Sequence, residues 1–199
     1  GQKWDEAGYL DFTALAGEAV FTGARRERNL IPTSSDVTSA TWSGVRATKV
    51  TVAGYDGLST ATKLISTGAL TSRFLIAANT FPATGTFQLY AYIKNNGNPW
   101  VIFGTDNSAG KAVWFNVATG AVGTQSTGYV GAIEASDNGY YLCSIKIDRA
   151  TASVLTNLLV APVDADGSVT STAANGVELV SVQYPMLSDI TGETDQTTI

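Results

Sequence analysis

Apolar and polar side chains alternate most regularly in the segment from Tyr140 to Asp148. Alternation with a period of two is typical of a β-strand, because successive side chains point to opposite faces. One face carries Tyr141, Cys143, Ile145 and Ile147, and the other carries Tyr140, Leu142, Ser144 and Lys146. We expect the first set to face a core and the second to face a more polar surface. The turn residues Asp137, Asn138 and Gly139 precede this strand, which is predicted to be central in its sheet.

The segment from Phe87 to Lys94 shows the same alternation. One face carries Phe87, Leu89, Ala91 and Ile93, and the other carries Gln88, Tyr90, Tyr92 and Lys94. Further strands are predicted at 29–32, 48–52, 61–65, 72–78, 100–103, 112–116, 129–133, 157–163 and 177–187. Short strands separated by turns predict an all-β fold with two packed antiparallel sheets. The predicted architecture is a β-sandwich of the jelly-roll or concanavalin-like kind.

The β-like pattern becomes regular only from Asn29 onward. We therefore predict an N-terminal arm over residues 1–28, a β-sandwich domain over 29–188 and a C-terminal tail over 189–199. A chain of 199 residues can form one domain with a large core. The charged run from Arg25 to Arg28 is interpreted as a solvated connector, with contact to an acidic partner as the alternative.

The composition of the chain argues against two classes of partner, nucleic acids and membranes. The formal net charge is −5, only 15% of residues are charged, and no basic stripe follows any predicted strand. Phosphate contacts supply most nucleic-acid affinity, so no nucleic-acid partner is expected. No apolar run is long enough for a transmembrane segment, and no signal peptide is recognised, so no membrane partner is expected.

The sequence contains no histidine and a single cysteine, Cys143. The absence of histidine removes the commonest general base and transition-metal ligand, and excludes a Ser-His-Asp triad. Cys143 is interpreted as a small apolar residue of the core. No predicted strand carries the pair of carboxylates that glycoside hydrolysis needs, because Glu134 and Asp137 flank a turn. We therefore predict a protein that is not an enzyme, with no catalytic residue.

A few acidic and amide side chains in predicted loops are candidate metal ligands. Asp164, Asp166, Asp106 and Asn107 offer oxygen atoms of the type that calcium prefers, but the later ligands of an EF-hand loop are missing. Turn formation is the favoured interpretation of these residues. No metal and no cofactor are predicted.

Aromatic side chains on the polar faces of the strands are the remaining candidates for function. Tyr90, Tyr92, Trp114 and Tyr140 form a candidate glycan-binding platform if their strands are neighbours in one sheet. The alternative is that they pack under loops or against another subunit. Trp42 and Trp100 are interpreted as packing residues, because tryptophan buries a large apolar area.

Five motifs, in order from Arg28 to Leu187, carry a resemblance to a known family. They are Arg28-Asn-Leu-Ile-Pro-Thr-Ser-Ser-Asp36 with Trp42, Ala61-Thr-Lys-Leu64, Phe87 to Lys94, Phe115-Asn-Val-Ala-Thr-Gly120, and Asp137-Asn-Gly-Tyr-Tyr-Leu-Cys-Ser144. The set resembles the carbohydrate-binding-like, concanavalin-type domains of bacteriophage tail and virion surface proteins. Tyr140, Leu142 and Thr62 depart from the family pattern, where tryptophan, arginine and aspartate are usual.

The resemblance implies a non-enzymatic module on the virion surface, in a tail fibre, spike or capsid decoration, that binds polysaccharide of the host surface. Its implied partners are other virion proteins. We also expect a homo-oligomer, a trimer, because an isolated sandwich with an arm and a tail commonly assembles through them. The alternative is an accessory carbohydrate-binding module of a secreted polysaccharide-degrading enzyme. A third alternative is a purely structural decoration protein without a ligand.

Overall fold

The computed structural model describes residues 3–4, 10–11, 30–31, 34, 37–68, 74–78, 84–105, 110–148 and 157–192. The strands in these ranges are β1 (Lys3–Trp4), β2 (Leu10–Asp11), β3 (Trp42–Val45), β4 (Ala47–Ala53), β5 (Thr60–Ser66), β6 (Phe74–Ala78), β7 (Thr86–Asn95), β8 (Trp100–Gly104), β9 (Ala112–Asn116), β10 (Ala121–Gln125), β11 (Tyr129–Ala135), β12 (Tyr140–Asp148), β13 (Asn157–Val163) and β14 (Glu178–Asp189). A short 3-10 turn, Asp137–Gly139, precedes β12. Within the described ranges, no helix is long and apolar enough to cross a membrane.

Twelve of the strands form two six-stranded sheets, and β1 and β2 pair separately. The front sheet has the order β11-β12-β7-β14-β5-β4, and the back sheet has the order β10-β9-β8-β13-β6-β3. Neighbouring strands in both sheets run antiparallel. This confirms the predicted all-β fold of two antiparallel sheets in a β-sandwich.

The two most regular strands are neighbours at the centre of the front sheet. In the pairing of β12 with β7, Cys143 lies opposite Ala91 and Ile145 lies opposite Leu89. These side chains are fully buried between the sheets, together with Phe103 of the back sheet. The period-two pattern therefore identified the inward faces correctly. Burial of these rows is the main stabilising contribution, at roughly 1.5–3 kcal/mol for each large apolar side chain.

The chain passes from one sheet to the other at both edges of the sandwich. At one side, β3 at the edge of the back sheet leads directly into β4 at the edge of the front sheet. The single residue between them, Arg46, has a positive φ of 52°, which is uncommon for a residue other than glycine. At the other side, β10 of the back sheet leads into β11 of the front sheet.

A second, smaller apolar cluster lies on the outer face of the back sheet. Its buried members are Ile102, Ala112, Trp114, Leu159, Ala161 and Val163. Trp100 and Val169 pack against it and are partly buried. The Nε1 atom of Trp114 donates a hydrogen bond of 2.6 Å to the carbonyl oxygen of Ser168. The loop that contains Ser168 and Val169 therefore covers this face.

Three details of the predicted strands are corrected by the structure. Leu30 and Ile31 are not in a strand, although the Leu30 N–H donates a hydrogen bond of 2.7 Å to the carbonyl of Leu187. The strands β3 and β10 were not predicted, because each is short and contains a glycine, Gly44 or Gly123, that weakens the alternation. Trp42 and Trp100 pack as predicted.

The ends of the predicted sandwich domain are described only in part. At the C-terminal end, β14 reaches Asp189, and the buried Ile190 donates its N–H to the carbonyl of Thr86 at 2.9 Å. The predicted N-terminal arm, 1–28, lies outside the described residues except for β1 and β2. The charged run from Arg25 to Arg28 also lies outside them.

Candidate functional site

Three tyrosines meet on the outer face of the front sheet, and we call them the tyrosine cluster: Tyr55, Tyr92 and Tyr184. The rings of Tyr55 and Tyr92 are stacked, with centroids 4.0 Å apart and planes 8° apart. The ring of Tyr184 approaches Tyr55 edge-on at 6.5 Å and 77°. All three rings are partly exposed. They come from three segments, the β4–β5 turn, β7 and β14, so only the folded chain brings them together.

A buried glutamine holds the β4–β5 turn against the sheet. The Oε1 atom of Gln183 accepts a hydrogen bond of 2.7 Å from the Tyr55 N–H, and its Nε2 atom donates one of 2.5 Å to the Ser59 hydroxyl. Gly54 permits this approach, because a Cβ atom there would lie 2.4 Å from the Gln183 amide atoms. Gln183 faces Tyr92 directly in the β14–β7 pairing. The position of Tyr55 above Tyr92 is therefore fixed by hydrogen bonds as well as by ring stacking.

The turn itself is stabilised by its aspartate. The Oδ1 atom of Asp56 accepts hydrogen bonds from the Ser59 hydroxyl, the Ser59 N–H and the Leu58 N–H at 2.6–3.0 Å. The hydrogen bond from the Ser59 hydroxyl is the main cause that lowers the pKa of Asp56 below its ordinary value. Leu58 lies at the tip of the turn and is 93% exposed. The turn thus presents an apolar side chain to solvent beside the tyrosine cluster.

An irregularity in β14 places Tyr184 in the tyrosine cluster. The register of β14 on β7 shifts between Gln183 and Met186, and Tyr184 has a positive φ of 47°. A tyrosine rarely adopts this conformation, so the surrounding contacts must stabilise it. Beyond the irregularity, Tyr90 donates a hydrogen bond of 3.0 Å from its hydroxyl to the Met186 sulfur.

A cleft lies beside the tyrosine cluster on the same face, and we call it the lysine cleft. It has a volume of about 250 Å³ and is lined by Val52, Ala53, Lys63, Lys94, Asn96, Tyr140 and Ser181. Tyr140 forms a wall: its hydroxyl donates a hydrogen bond of 2.9 Å to the Ala53 carbonyl, and the Lys94 ammonium lies 5.6 Å from its ring centroid. Burial is the main cause that raises the pKa of Tyr140, with an opposing effect of the Ser181 hydroxyl.

The polar side chains of the lysine cleft are partly paired with one another. The Asn96 amide donates a hydrogen bond of 2.7 Å to the Ser181 hydroxyl. Lys63 forms an ion pair with Glu178, whose carboxylate is about half exposed. Lys94, in contrast, forms no ion pair with any described residue, and its ammonium group lies over the ring of Tyr140.

The predicted platform is only partly present. Tyr90 and Tyr92 lie on β7 and Tyr140 lies on the neighbouring strand β12, so these three share the outer face of the front sheet. Trp114 lies on β9 in the back sheet and is fully buried under the 164–170 loop. The prediction that it shares a surface with the tyrosines is therefore wrong. Tyr140 is also buried, at 2% exposure, although its strand face was predicted to be a polar surface.

Sequence reasoning missed Tyr55, Tyr184 and Gln183. The flanking strands 48–52 and 61–65 were predicted, but nothing in the local pattern shows on which part of the sheet the turn between them packs. Gln183 and Tyr55 are separated by 128 positions in the chain. The one available signal was a glutamine in the middle of a largely apolar strand, because buried amide groups need hydrogen-bond partners.

The carboxylates of Asp164 and Asp166 accept hydrogen bonds from backbone N–H groups of loops and strands. The Oδ1 atom of Asp164 accepts a hydrogen bond of 3.0 Å from the Thr172 N–H, and that of Asp166 accepts one of 2.7 Å from the Thr124 N–H. In the described part of the chain, no group of three or more His, Cys, Asp or Glu side chains could hold a metal ion. Asp106 and Asn107 lie outside the described residues.

No protein-family model matches the chain, and no curated protein matches it. Among solved structures, it is similar to a carbohydrate-binding module, TmCBM27, from a structural and thermodynamic study of specific mannan recognition. The sequence identity is 14%, the match covers 82% of this chain and 96% of that chain, and the TM-score is 0.34. At this level of similarity, the function has to be argued from the residues of the chain itself.

Proposed function

We propose that this chain is a non-enzymatic glycan-binding module, and that the glycan lies on the tyrosine cluster. The observation that carries the proposal is the stack of Tyr55 on Tyr92, partly exposed and held in place by Gln183. The apolar face of a sugar ring packs on an aromatic ring, while the tyrosine hydroxyls provide hydrogen-bond partners. A rigid surface of this kind binds without a large loss of side-chain entropy.

The surroundings of the tyrosine cluster support the same proposal. Leu58 and Leu142 add apolar surface at its margin, and the lysine cleft adds polar groups on one side. In the neighbouring part of the same face, Gln88, Ser144 and Ser188 are buried. Tyr90 and Tyr92 are both partly exposed on this face of β7, and Tyr92 is the one that stacks on a second ring. We propose that Tyr92 binds the glycan and that Tyr90 and Tyr140 support it as neighbours on the same face.

Removing one ring of the stack tests the proposal. We expect Tyr55→Ala to weaken binding to the preferred glycan by about tenfold or more, which corresponds to about 1.4 kcal/mol, because the uppermost ring is lost. Tyr55→Phe keeps the ring and is expected to retain most of the affinity. Isothermal titration calorimetry against a panel that includes mannan, dextran and polygalacturonate measures both variants.

Val130→Ala is the matched control, because Val130 is 59% exposed in the front sheet but lies outside the tyrosine cluster. Its affinity is expected to equal that of the unmodified chain. The unfolding midpoint of each variant shows that the fold is intact. Equal affinities of Tyr55→Ala and the unmodified chain would contradict the proposal, as would a failure of every glycan in the panel to bind.

We further propose that the module belongs to a bacteriophage virion surface protein that attaches to host polysaccharide, assembled as a homo-trimer with other virion proteins. The virion role rests on the five ordered motifs between Arg28 and Leu187, and the trimer rests on the predicted arm and tail. The accessory module of a secreted polysaccharide-degrading enzyme is the alternative. Sedimentation equilibrium at micromolar concentration is expected to give three times the chain mass of 20.8 kDa, and a single species at one chain mass would contradict the trimer.

A further inference from the structure

We propose that the lysine cleft is a subsite for the carboxylate of a hexuronic acid residue in the bound glycan. This inference rests on the proposed glycan-binding function and adds a class of ligand to it. The cleft volume of about 250 Å³ is smaller than the roughly 300–1,000 Å³ of pockets for drug-sized ligands. Its size therefore suits one sugar unit or its substituent, while the rest of the chain lies on the tyrosine cluster.

The charge of the cleft is opposite to that of the protein. The chain carries a formal net charge of −5, whereas the cleft contains two ammonium groups, on Lys63 and Lys94. Glu178 pairs with Lys63, so one positive charge remains without a carboxylate partner among the described residues. A positive group in a concave, partly buried place attracts an anion more strongly than one on an open surface.

The hydrogen-bonding groups around Lys94 also suit a carboxylate. Lysine provides donors and no acceptor, and the amide of Asn96, which also lines the cleft, has a second N–H besides the one that it donates to Ser181. Lys94 lies over the ring of Tyr140, which limits the rotation of its side chain. An ammonium group held in place next to an amide donor binds one carboxylate oxygen with each group.

The position of the cleft connects it to the tyrosine cluster. Lys94 and Tyr92 are two residues apart on the same face of β7, about 7 Å along the strand. Ser181 lies opposite Lys94 in β14, as Gln183 lies opposite Tyr92. A sugar chain that crosses the stacked tyrosines therefore reaches the lysine cleft with a neighbouring unit. The geometry favours a glycan in which one sugar unit packs its apolar face on the tyrosines and a neighbouring unit carries a carboxylate.

A matched pair of ligands isolates the carboxylate. We expect an oligogalacturonate to bind at least about tenfold more tightly than its methyl ester, because esterification removes the charge but keeps the sugar. Raising the salt concentration from about 50 to about 500 mM is expected to reduce this preference, because salt screens exposed charges. Dextran and dextran sulfate serve as neutral and sulfated probes, and dextran sulfate is expected to bind less tightly than the oligogalacturonate.

Lys94→Met is expected to abolish the preference for the free acid and to leave the affinity for the methyl ester within about twofold. Lys94→Arg keeps the charge and is expected to retain a preference. Lys146→Met is the matched control, because Lys146 is a half-buried lysine of the same sheet that does not line the cleft. Its preference is expected to equal that of the unmodified chain.

The outcomes separate this inference from the proposed function. Equal binding of acid and ester, both weakened by Tyr55→Ala, would overturn the carboxylate subsite and leave the tyrosine surface intact. A preference for the acid that Lys94→Met removes, with no effect of Tyr55→Ala, would support the subsite and overturn the tyrosine surface. Tighter binding of dextran sulfate than of oligogalacturonate would overturn the assignment to a carboxylate. No binding to any probe would overturn both.

Discussion

Replacing Trp114 by alanine is expected to lower the free energy of unfolding by about 3–5 kcal/mol, the usual cost of removing a buried tryptophan. Trp114 is fully buried in the second apolar cluster, beneath the 164–170 loop. Its removal leaves a large cavity and also deprives the Ser168 carbonyl of its N–H donor. Chemical denaturation, followed by the fluorescence of the remaining tryptophans or by circular dichroism, measures the change.

Two variants show which part of the side chain matters. Trp114→Phe keeps most of the apolar volume but loses the hydrogen bond, and is expected to cost about 1–3 kcal/mol. Trp100→Ala removes a partly exposed ring at the edge of the same cluster and is expected to cost less than Trp114→Ala. A loss below about 1 kcal/mol for Trp114→Ala would contradict the packing described here.

The same variant distinguishes a structural from a binding role for Trp114. Because Trp114 lies in the back sheet, away from the tyrosine cluster, Trp114→Ala is expected to bind glycan normally wherever it remains folded. Binding is measured at a temperature well below the unfolding midpoint of the variant. Loss of affinity in a folded variant would place the ligand on the back sheet instead.

The second large effect concerns the reactivity of Cys143. We expect its labelling by a thiol reagent to be at least about 1,000-fold slower in the folded protein than in urea. A free energy of unfolding of about 5 kcal/mol or more makes the unfolded state, in which the thiol is accessible, rare. Cys143 is fully buried at the centre of the front sheet, and burial raises the pKa of its thiol. Both the access of the reagent and the formation of the thiolate are therefore suppressed.

The raised pKa of Cys143 also determines how the stability of the protein changes with pH. Below the ordinary pKa of a cysteine, the thiol is neutral in both states and has no effect on stability. Above it, the unfolded chain ionises while Cys143 in the folded chain stays neutral. The free energy of unfolding therefore falls as the pH rises through the alkaline range, above the ordinary pKa of a cysteine.

A relocated cysteine is the matched control for the labelling experiment. The double variant Cys143→Ala and Val130→Cys has its thiol at a position that is 59% exposed on an edge strand. It is expected to react within a few-fold of the unfolded rate. Fast labelling of Cys143 itself under native conditions would contradict its place in the core.

The inward faces of the front sheet were predictable from the sequence for a simple reason. In a strand, every second side chain faces the core. The alternation in Phe87 to Ile93 and in Cys143 to Ile147 therefore shows which side chains point inward. The same pattern cannot show which strands are neighbours. It also could not show that Trp114 faces a second cluster under a loop, because a covered outer face is as apolar as an inner one.

The sequence by itself determined the class of fold, the two central strands and the absence of histidine chemistry. These follow from the period of the alternation and from the residue types present, which are local properties of the chain. Only the tertiary structure decided that Tyr55, Tyr92 and Tyr184 form one surface, that Trp114 is on the other sheet, and that Lys94 lines a cleft with Tyr140. The physical reason is that these contacts join residues far apart in the chain, through strand order, a turn folded onto a sheet and one irregularity in β14. Such contacts depend on the packing of the whole sandwich, and no local sequence pattern predicts them.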